Sequence, residues 1–279
     1  MNGLIFALLS SSLAAAPVDL APRPPVEQPS PIVSNVPGSV HQPVSIYQLS
    51  PWIDGSVLAV TGLAIAIPYA LSSSLIQGRC PCNSSDVNPL DRGVIGNNSN
   101  AADAVSNFLS FGVSAAPVLV DLIDVGVHKE FLEDMVVYAE TLTVNSALVT
   151  AAKYTFQRPL PIVYAGQAPG LYTSPRGYRS FYSGHTSSAV SSMMALSMTY
   201  TLRHGNRWWP FVLTGVVGIS MAALRVEAGR HFYTDVAAGA AAGVIVGYAV
   251  PELHKRAQIG NLTVAPVRGG AMVGWAKAF

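Results

Sequence analysis

Six long apolar stretches dominate the pattern of hydrophobic and polar positions along the chain. They cover residues 52–76, 104–125, 131–156, 185–203, 208–228 and 231–250. Each approaches the ~20 residues that an α-helix needs to cross a bilayer. The pattern therefore predicts an all-α fold, a six-helix bundle embedded in a membrane.

The apolar character is strongest in the first stretch, which has no charged residue between Ser56 and Ile76. The second and third stretches contain or adjoin five acidic residues: Asp121, Asp124, Glu133, Asp134 and Glu140. An ionisable group in hydrocarbon is costly and normally faces protein or water. A soluble bundle of very apolar helices therefore stays open as an alternative.

The two ends of the chain differ in pattern from the six stretches. The apolar run at the N-terminus is too short to span a bilayer and ends in small residues, which resembles a secretory signal. A proline-rich segment follows and is predicted to be an extended linker without a core. We therefore divide the chain into a signal-like segment (1–16), a linker (17–50), a helical domain (51–252) and an irregular tail (253–279). Within the tail, a small hairpin around Gly269 and Gly270 stays open.

Composition supports the membrane prediction. Half of the 279 residues are apolar and only 11% are charged, whereas soluble domains carry roughly a quarter charged residues. The net charge of +1 gives no sign of a nucleic-acid partner, which would require a basic face. Cys80 and Cys82, the two cysteines, are compatible with either a free pair or an oxidised pair in an exported protein.

Three polar clusters lie where the last four apolar stretches end or begin. They comprise Lys153 with Arg158, the SGHTS segment 183–187, and Arg225 with His231 and Asp235. In an up-and-down bundle each connection reverses the chain, so all three clusters fall at the same end. The sequence therefore predicts an active site at one end of the bundle.

The cations and the glycine of these clusters suit the binding of a phosphoryl group. Lys153, Arg158 and Arg225 are able to neutralise phosphoryl oxygens through charge-assisted hydrogen bonds. Gly184 lets the backbone approach closely, and a helix that starts there points its N–H groups at an anion.

The two histidines add reactive groups to this predicted site. His185 and His231 supply a nucleophile and a proton donor. Asp235 follows His231 by one helical turn, so its carboxylate is placed to hold the imidazole in one tautomer while the other nitrogen attacks. Each residue alone is an ordinary helix-end residue. Their joint spacing predicts phosphoryl-transfer chemistry.

The same residues resemble a known family, the type 2 phosphatidic acid phosphatase (PAP2) superfamily, which includes bacterial class A acid phosphatases and vanadium haloperoxidases. Its three motifs are K-x6-R-P, P-S-G-H and S-R-x5-H-x3-D. YSGH (182–185) resembles the second motif and RVEAGRHFYTD (225–235) the third, while Lys153 and Pro161 match parts of the first. The motifs follow one another in the order and spacing of the family.

The resemblance implies a phosphatase that acts through a phosphohistidine and needs no metal or other cofactor. His231 would attack phosphorus with Asp235 orienting it, and His185 would protonate the leaving oxygen and then activate water. The implied phosphate-binding residues are Lys153, Ser183, Gly184 and Arg225, with Arg158 as a candidate.

Departures from the motifs leave alternatives open. Tyr182 and Leu224 replace a proline and a serine of the family pattern, and Leu160 replaces the arginine of the first motif. Losing one charge-assisted contact to phosphate costs several kcal/mol of transition-state stabilisation. A non-catalytic binder of phosphorylated lipids therefore stays open beside the enzyme.

The apolar bundle predicts that the substrate, a phosphomonoester or diphosphate, is a lipid. An exported acid phosphatase that acts on small soluble phosphoesters is the nearest alternative.

The sixth stretch also carries Gly239, Gly243 and Gly247 at four-residue steps, a pattern that favours close helix packing. The oligomeric state is not indicated.

Basic residues indicate how the bundle lies in the cell envelope. Five of them lie at the end opposite the predicted site: Lys129, Arg203, Arg207, Lys255 and Arg256. The positive-inside rule places this end in the cytoplasm, so the site of an inner-membrane protein would face the periplasm. A cleaved signal followed by three spans would give the reverse orientation. The topology, and a soluble form exported to the periplasm, therefore stay open.

Overall fold

The computed structural model describes residues 44–256, 261–267 and 270–276. In these residues the predicted all-α bundle is confirmed, and each of the six apolar stretches forms a long helix. The helices are α1 (Pro51–Ala70), α2 (Ser72–Leu75), α3 (Asn100–Val125), α4 (Lys129–Phe156), α5 (Pro161–Tyr164), α6 (Gly184–His204), α7 (Trp209–Glu227) and α8 (Tyr233–His254). Short 3₁₀ turns lie at Ser84–Asp86, Arg92–Val94, Pro169–Leu171 and Pro175–Tyr178.

The first apolar stretch, predicted as one helix over 52–76, forms α1 and the short α2, separated at Leu71. Two other helix boundaries differ from the prediction for local reasons. Helix α3 begins at Asn100, four residues early, because the Ser99 side chain accepts a hydrogen bond from the backbone N–H of Ala102. Helix α8 continues through Pro251 to His254. Proline there lies in the last turn, where its missing N–H removes a single hydrogen bond.

The predicted linker and tail contain more structure than their sequence patterns indicate. The end of the linker packs into the bundle, since Tyr47 is fully buried and its hydroxyl hydrogen-bonds Thr199 at 2.9 Å. In the tail, predicted to be irregular, β1 (Asn261–Val267) pairs antiparallel with β2 (Gly270–Ala276), which is the hairpin that the sequence left open. The signal-like residues 1–16 and residues 17–43 lie outside the described residues.

Helix α6 lies at the centre of the bundle, where it packs against α3, α4, α7 and α8. Its contact with α8 depends on the predicted glycine stripe. A Cβ added at Gly239, Gly243 or Gly247 would meet a backbone oxygen of α6 or its N-cap at 2.6 Å. The two helices therefore approach closely along their length, and their N-termini meet at the same end.

The acidic residues of α3 and α4 face protein partners, as a buried charge in an apolar helix must. The Arg203 guanidinium of α6 donates to Asp121 at 2.8 Å and to Asp134 at 2.6 Å. His204 lies 2.8 Å from Asp124. These pairs hold the end of the bundle opposite the predicted site.

The outside of the bundle is apolar. Large exposed side chains include Trp52, Phe108, Ile123, Ile219 and Leu253, all at least 73% exposed. Five helical segments are long and apolar enough to cross a membrane: Pro51–Ala70, Asn100–Val125, Lys129–Tyr164, Trp209–Glu227 and Tyr233–His254. This surface is suited to lipid rather than water.

Replacing Gly243 by alanine should destabilise the bundle, because the new Cβ would lie 2.6 Å from the Ser187 carbonyl oxygen and force α6 and α8 apart. We expect the melting temperature in detergent to fall by roughly 5 °C, measured by thermal unfolding. Gly215→Ala in α7 is the matched control, because no atom lies within 4 Å of its added Cβ. Equal melting temperatures for the two variants would contradict the close contact.

Candidate active site

Backbone contacts join the N-termini of α6 and α8. Ser183, the N-cap of α6, donates its N–H to the carbonyl oxygen of Asp235 at 3.0 Å. Its side chain is fully buried and accepts a hydrogen bond from the N–H of Thr186. The second and third sequence clusters therefore meet in space.

His231 is held in one tautomer. Its ring is buried, and Nδ1 lies 2.7 Å from the carbonyl oxygen of Ser180. A carbonyl oxygen only accepts hydrogen bonds, so Nδ1 carries the proton and Nε2 keeps its lone pair. Burial lowers the pKa of His231 to about 4, against the opposing effect of the Asp235 carboxylate. The imidazole is therefore neutral at pH 7.

Asp235 orients His231 indirectly, which refines the sequence prediction. Its Oδ2 lies 3.8 Å from Nδ1 of His231, beyond hydrogen-bond distance. Instead, this oxygen accepts from the Ser180 hydroxyl at 2.5 Å and from the Phe232 N–H at 2.9 Å. Asp235 thus fixes Ser180, whose carbonyl fixes the ring.

Arg158 contacts two buried carboxylates. Its guanidinium donates to Asp235 at 2.6 Å and to Asp91 at 2.8 Å, and it lies over the Phe232 ring at 4.0 Å from the centroid. Burial alone would raise the pKa of the Asp91 carboxyl, but hydrogen bonds from Arg158 and Thr234 outweigh it and hold the pKa below its usual range. The phosphate-binding role predicted for Arg158 remains a prediction.

Leu160, the departure from the first motif, lies in an apolar cluster. It is 7% exposed and packs with Ile162 and Val163. Its N–H donates to the Gly177 carbonyl oxygen at 2.9 Å. The family position of the arginine is therefore part of the core in this chain, while the Arg158 side chain reaches the site from two residues earlier.

Lys153 and Gly184 lie next to each other. A Cβ added at Gly184 would lie 3.8 Å from Cε of Lys153 and 3.2 Å from the Val149 side chain. The lysine ammonium donates to the Arg179 carbonyl oxygen at 2.6 Å. The last turn of α4 thus brings a cation to the start of α6.

Three arginines bring further hydrogen-bond donors to this end of the bundle. Arg225 donates to Asp103 at 2.8 Å and to Ser106 at 2.9 Å, and Arg230 donates to the other Asp103 oxygen at 2.8 Å. The buried Nε atoms of Arg179, Arg225 and Arg230 have no hydrogen-bond partner among the described residues. Buried donors are normally paired, so these N–H groups are suited to a bound anion.

His185 is held by a neighbour from α3. Its Nε2 lies 2.8 Å from Oδ1 of Asn107. An amide oxygen accepts hydrogen bonds, so this arrangement places the ring proton on Nε2. His185 also lies near the positive charges of Arg225 and Lys153.

The structure brings the predicted site residues to one end of the bundle, and it adds others that the sequence did not single out. These additions are Asp91, Asp103, Ser106, Asn107, Ser180 and Arg230. Most of them lie in loops or on α3, outside the spaced pattern. Of these, only Arg230 could have been predicted from the sequence to lie at the site, because it directly precedes His231.

A cleft of about 690 Å³ opens beside Arg158. Aromatic and proline side chains line much of it, including Phe156, Tyr164 and Phe181, together with Arg79 and Asp86. A cleft of this size next to a cationic site is able to hold the organic part of a phosphorylated ligand.

Replacing Arg158 by alanine tests whether it binds phosphate or neutralises carboxylates. Removing it leaves Asp91 and Asp235 buried without their cation, so we expect the melting temperature to fall by roughly 10 °C. Adding Asp91→Asn should recover part of this loss in a double-mutant cycle. An unchanged melting temperature with weaker binding of inorganic phosphate would instead support direct phosphate binding.

Two comparisons with known proteins found similarities. The family model described as "PAP2 superfamily" matches residues 134–259, which include all three sequence motifs. The crystal structure of Aquifex aeolicus LpxE is similar to this chain with a TM-score of 0.39 and 21% identity, over 58% of this chain and 92% of that one. No curated protein matches the chain. Residues 134–259 of this chain therefore match the PAP2 superfamily, the family that the three sequence motifs resemble.

Proposed function

We propose that the chain is a membrane phosphatase that hydrolyses a phosphomonoester or diphosphate of a lipid through a phosphohistidine. The observation that carries the proposal is the tautomer of His231. The Ser180 carbonyl oxygen accepts a hydrogen bond from the Nδ1–H, which leaves the lone pair of Nε2 as the nucleophile in a site rich in cations.

In the first step, Nε2 of His231 attacks phosphorus and the bond to the leaving oxygen breaks. The Ser180 carbonyl stabilises the positive charge that develops on the ring, and Asp235 lies 3.8 Å away. His185, protonated on both ring nitrogens when the substrate is bound, donates its Nε2 proton to the leaving oxygen as the substrate displaces Asn107. The products of this step are phosphohistidine and an alcohol or a phosphate monoester.

In the second step, water replaces the histidine on phosphorus. His185, now lacking a proton, accepts one from the attacking water, and the phosphorus–nitrogen bond breaks. Inorganic phosphate leaves, and both histidines return to their starting states. Each proton that His185 gives in the first step is thus recovered in the second.

Positive charge for both steps comes from side chains. Lys153 and Arg225 act on His231 and His185 through their charges, which supports their placement around the phosphoryl group. The free Nε–H groups of Arg179, Arg225 and Arg230 add donors. Ser183 and Gly184 present the start of α6, whose N–H groups favour an anion. We assign Arg158 the role of positioning Asp235.

The apolar outer surface of the bundle supports a lipid substrate. An enzyme embedded in the bilayer meets lipids at the end of its helices, where this site lies. The aromatic cleft beside Arg158 is suited to the part of the lipid next to the phosphate. A soluble acid phosphatase would have to expose the same apolar surface to water, which disfavours that alternative.

A disulfide supports a site that faces the periplasm. Cys80 and Cys82 form a disulfide, in the loop before α3 at the site end of the bundle. Disulfides persist in oxidising compartments such as the periplasm. The loop therefore supports the orientation that the basic residues at the opposite end also indicate.

Replacing His231 by alanine should lower kcat at least about 1,000-fold on a phosphorylated lipid in mixed micelles, because the nucleophile is lost. Labelled substrate should leave an alkali-stable, acid-labile phosphate on the wild-type chain and none on the variant. His204→Ala at the opposite end is the control and should keep both activity and label. Turnover by the His231 variant at the wild-type rate would refute the assignment.

The same assays separate the alternatives. A higher kcat/KM for a water-soluble phosphomonoester than for the lipid, with a chain that stays soluble without detergent, would favour the exported acid phosphatase. Binding of phosphorylated lipid without turnover or label in the wild type would favour the non-catalytic binder.

The low pKa of His231 predicts a wide acidic range of activity. Its neutral form is the nucleophile, so protonation removes activity only as the pH falls through about 4. After correction for the second ionisation of the substrate phosphate, near pH 6, kcat/KM should not fall between pH 7 and 5. Burial also lowers the pKa of the general acid His185, so its protonated fraction, and with it kcat/KM, rises as the pH falls through this range. A fall of about tenfold per pH unit already below 6.5, the ordinary histidine value, would contradict the buried neutral imidazole.

A further inference from the structure

The first helix is attached to the bundle in an unusual way. Although α1 is apolar over most of its length, Asp54 is its sole buried residue. A carboxylate is a poor residue to bury against protein unless a positive charge accompanies it. The residues that contact Asp54 therefore determine how the start of α1 packs against the bundle.

Asp54 meets two other ionisable side chains at the end opposite the candidate active site. His254, the last residue of α8, places Nε2 at 3.2 Å from Oε2 of Glu140 and at 3.6 Å from Oδ1 of Asp54. One ligand atom from each residue lies within 4.8 Å of the other two. The three side chains thus converge from α1, α4 and α8.

The histidine directs one ring nitrogen at this cluster. Its Nδ1 lies 2.8 Å from the Val250 carbonyl oxygen, which only accepts, so Nδ1 carries the ring proton. The other ring nitrogen, Nε2, faces the two carboxylates. Histidine ligands of metals commonly donate their second ring N–H to a backbone carbonyl, as Nδ1 does here.

One carboxylate oxygen of the cluster lacks a partner. Glu140 is 3% exposed, and its Oε1 makes no hydrogen bond to any described residue. The other oxygen of Asp54 does have one, since the Ser50 N–H donates to it at 2.8 Å. Buried carboxylate oxygens are normally satisfied, so Oε1 indicates a group that occupies this cluster.

We propose that Asp54, Glu140 and His254 bind a divalent transition-metal ion, of the class represented by Zn²⁺, which fastens α1 to α4 and α8. One imidazole and two carboxylates match the ligands of such ions, and two negative charges balance the ion. Tetrahedral zinc with bonds of about 2.0–2.1 Å separates its ligand atoms by about 3.4 Å, close to the two histidine distances. The three side chains supply three ligands, so the fourth position of a tetrahedral ion is left to water.

The ion has a structural role. Asp235 and His254 are separated by 19 residues of α8, which is about 28 Å along the helix axis. No group at that distance touches the phosphoryl group or His231. The site is independent of the proposed phosphatase function and stands or falls by itself.

Retention of Zn²⁺ by the full chain in detergent tests the proposal. The protein is stripped with a chelator, incubated with Zn²⁺, freed of excess ion and analysed for metal. We expect one Zn²⁺ per chain in the wild type and less than a tenth of that in Glu140→Gln and in His254→Gln. Saturating Zn²⁺ should raise the melting temperature of the stripped wild type by about 5 °C and leave that of Glu140→Gln unchanged.

His204→Gln is the matched control, because His204 pairs with Asp124 at the same end of the bundle outside the three-residue cluster. It should retain Zn²⁺, and so should His231→Ala. A second measurement needs no variant. The wild type loaded with Co²⁺ instead of Zn²⁺ should show the visible absorption bands of tetrahedral Co²⁺.

Absence of retained Zn²⁺ and of the Co²⁺ spectrum in the wild type would overturn the site. It would indicate a protonated His254 that pairs directly with the carboxylates. Equal retention by the wild type and the two folded cluster variants would also overturn it, because the ion would then lie elsewhere. Circular dichroism establishes that each variant is folded. If Glu140→Gln or His254→Gln does not fold, Asp54→Asn takes its place in the Zn²⁺ measurement.

Discussion

The buried carboxylate of Asp235 is the interaction on which the candidate active site depends. It accepts hydrogen bonds from the Ser180 hydroxyl, the Phe232 N–H and the Arg158 guanidinium, and it is fully buried. Through Ser180 it sets the tautomer of His231, and through Arg158 it is joined to Asp91 in the loop before α3. One charge therefore holds three separate segments of chain in a fixed relation to the histidine.

Close packing of α6 and α8 makes this arrangement possible. The glycine stripe lets the two helices approach until added Cβ atoms would meet backbone oxygens at 2.6 Å. The N-termini of α6 and α8 therefore lie side by side, and the Ser183 N–H donates a hydrogen bond to the Asp235 carbonyl oxygen at the start of α8. Bulky side chains on that face would separate the helices and with them the second and third motifs.

Both ends of the bundle rely on charged groups within an apolar helical framework. At one end the cations exceed the buried carboxylates that they contact, and the Nε–H groups of Arg179, Arg225 and Arg230 have no partner in the described part of the chain, as is also true of Arg203 at the other end. At the other end Asp54 and Glu140 exceed the charge of His254, which favours a cation. The same rule, that buried charge requires an opposite charge, underlies both the proposed phosphate site and the proposed metal site.

The sequence by itself determined the helices and indicated the candidate reactive residues. Apolar runs of bilayer length have few other stable solutions, and the spacing from Lys153 to Asp235 is local enough to be seen as motifs. Only the tertiary structure decided the partners. Ser180 replaced Asp235 as the direct acceptor of His231, Arg158 took two carboxylates, and Leu160 entered the core. Asp54, Glu140 and His254 converge from positions up to 200 residues apart. Such contacts depend on how helices pack in three dimensions, and periodicity along one chain does not encode them.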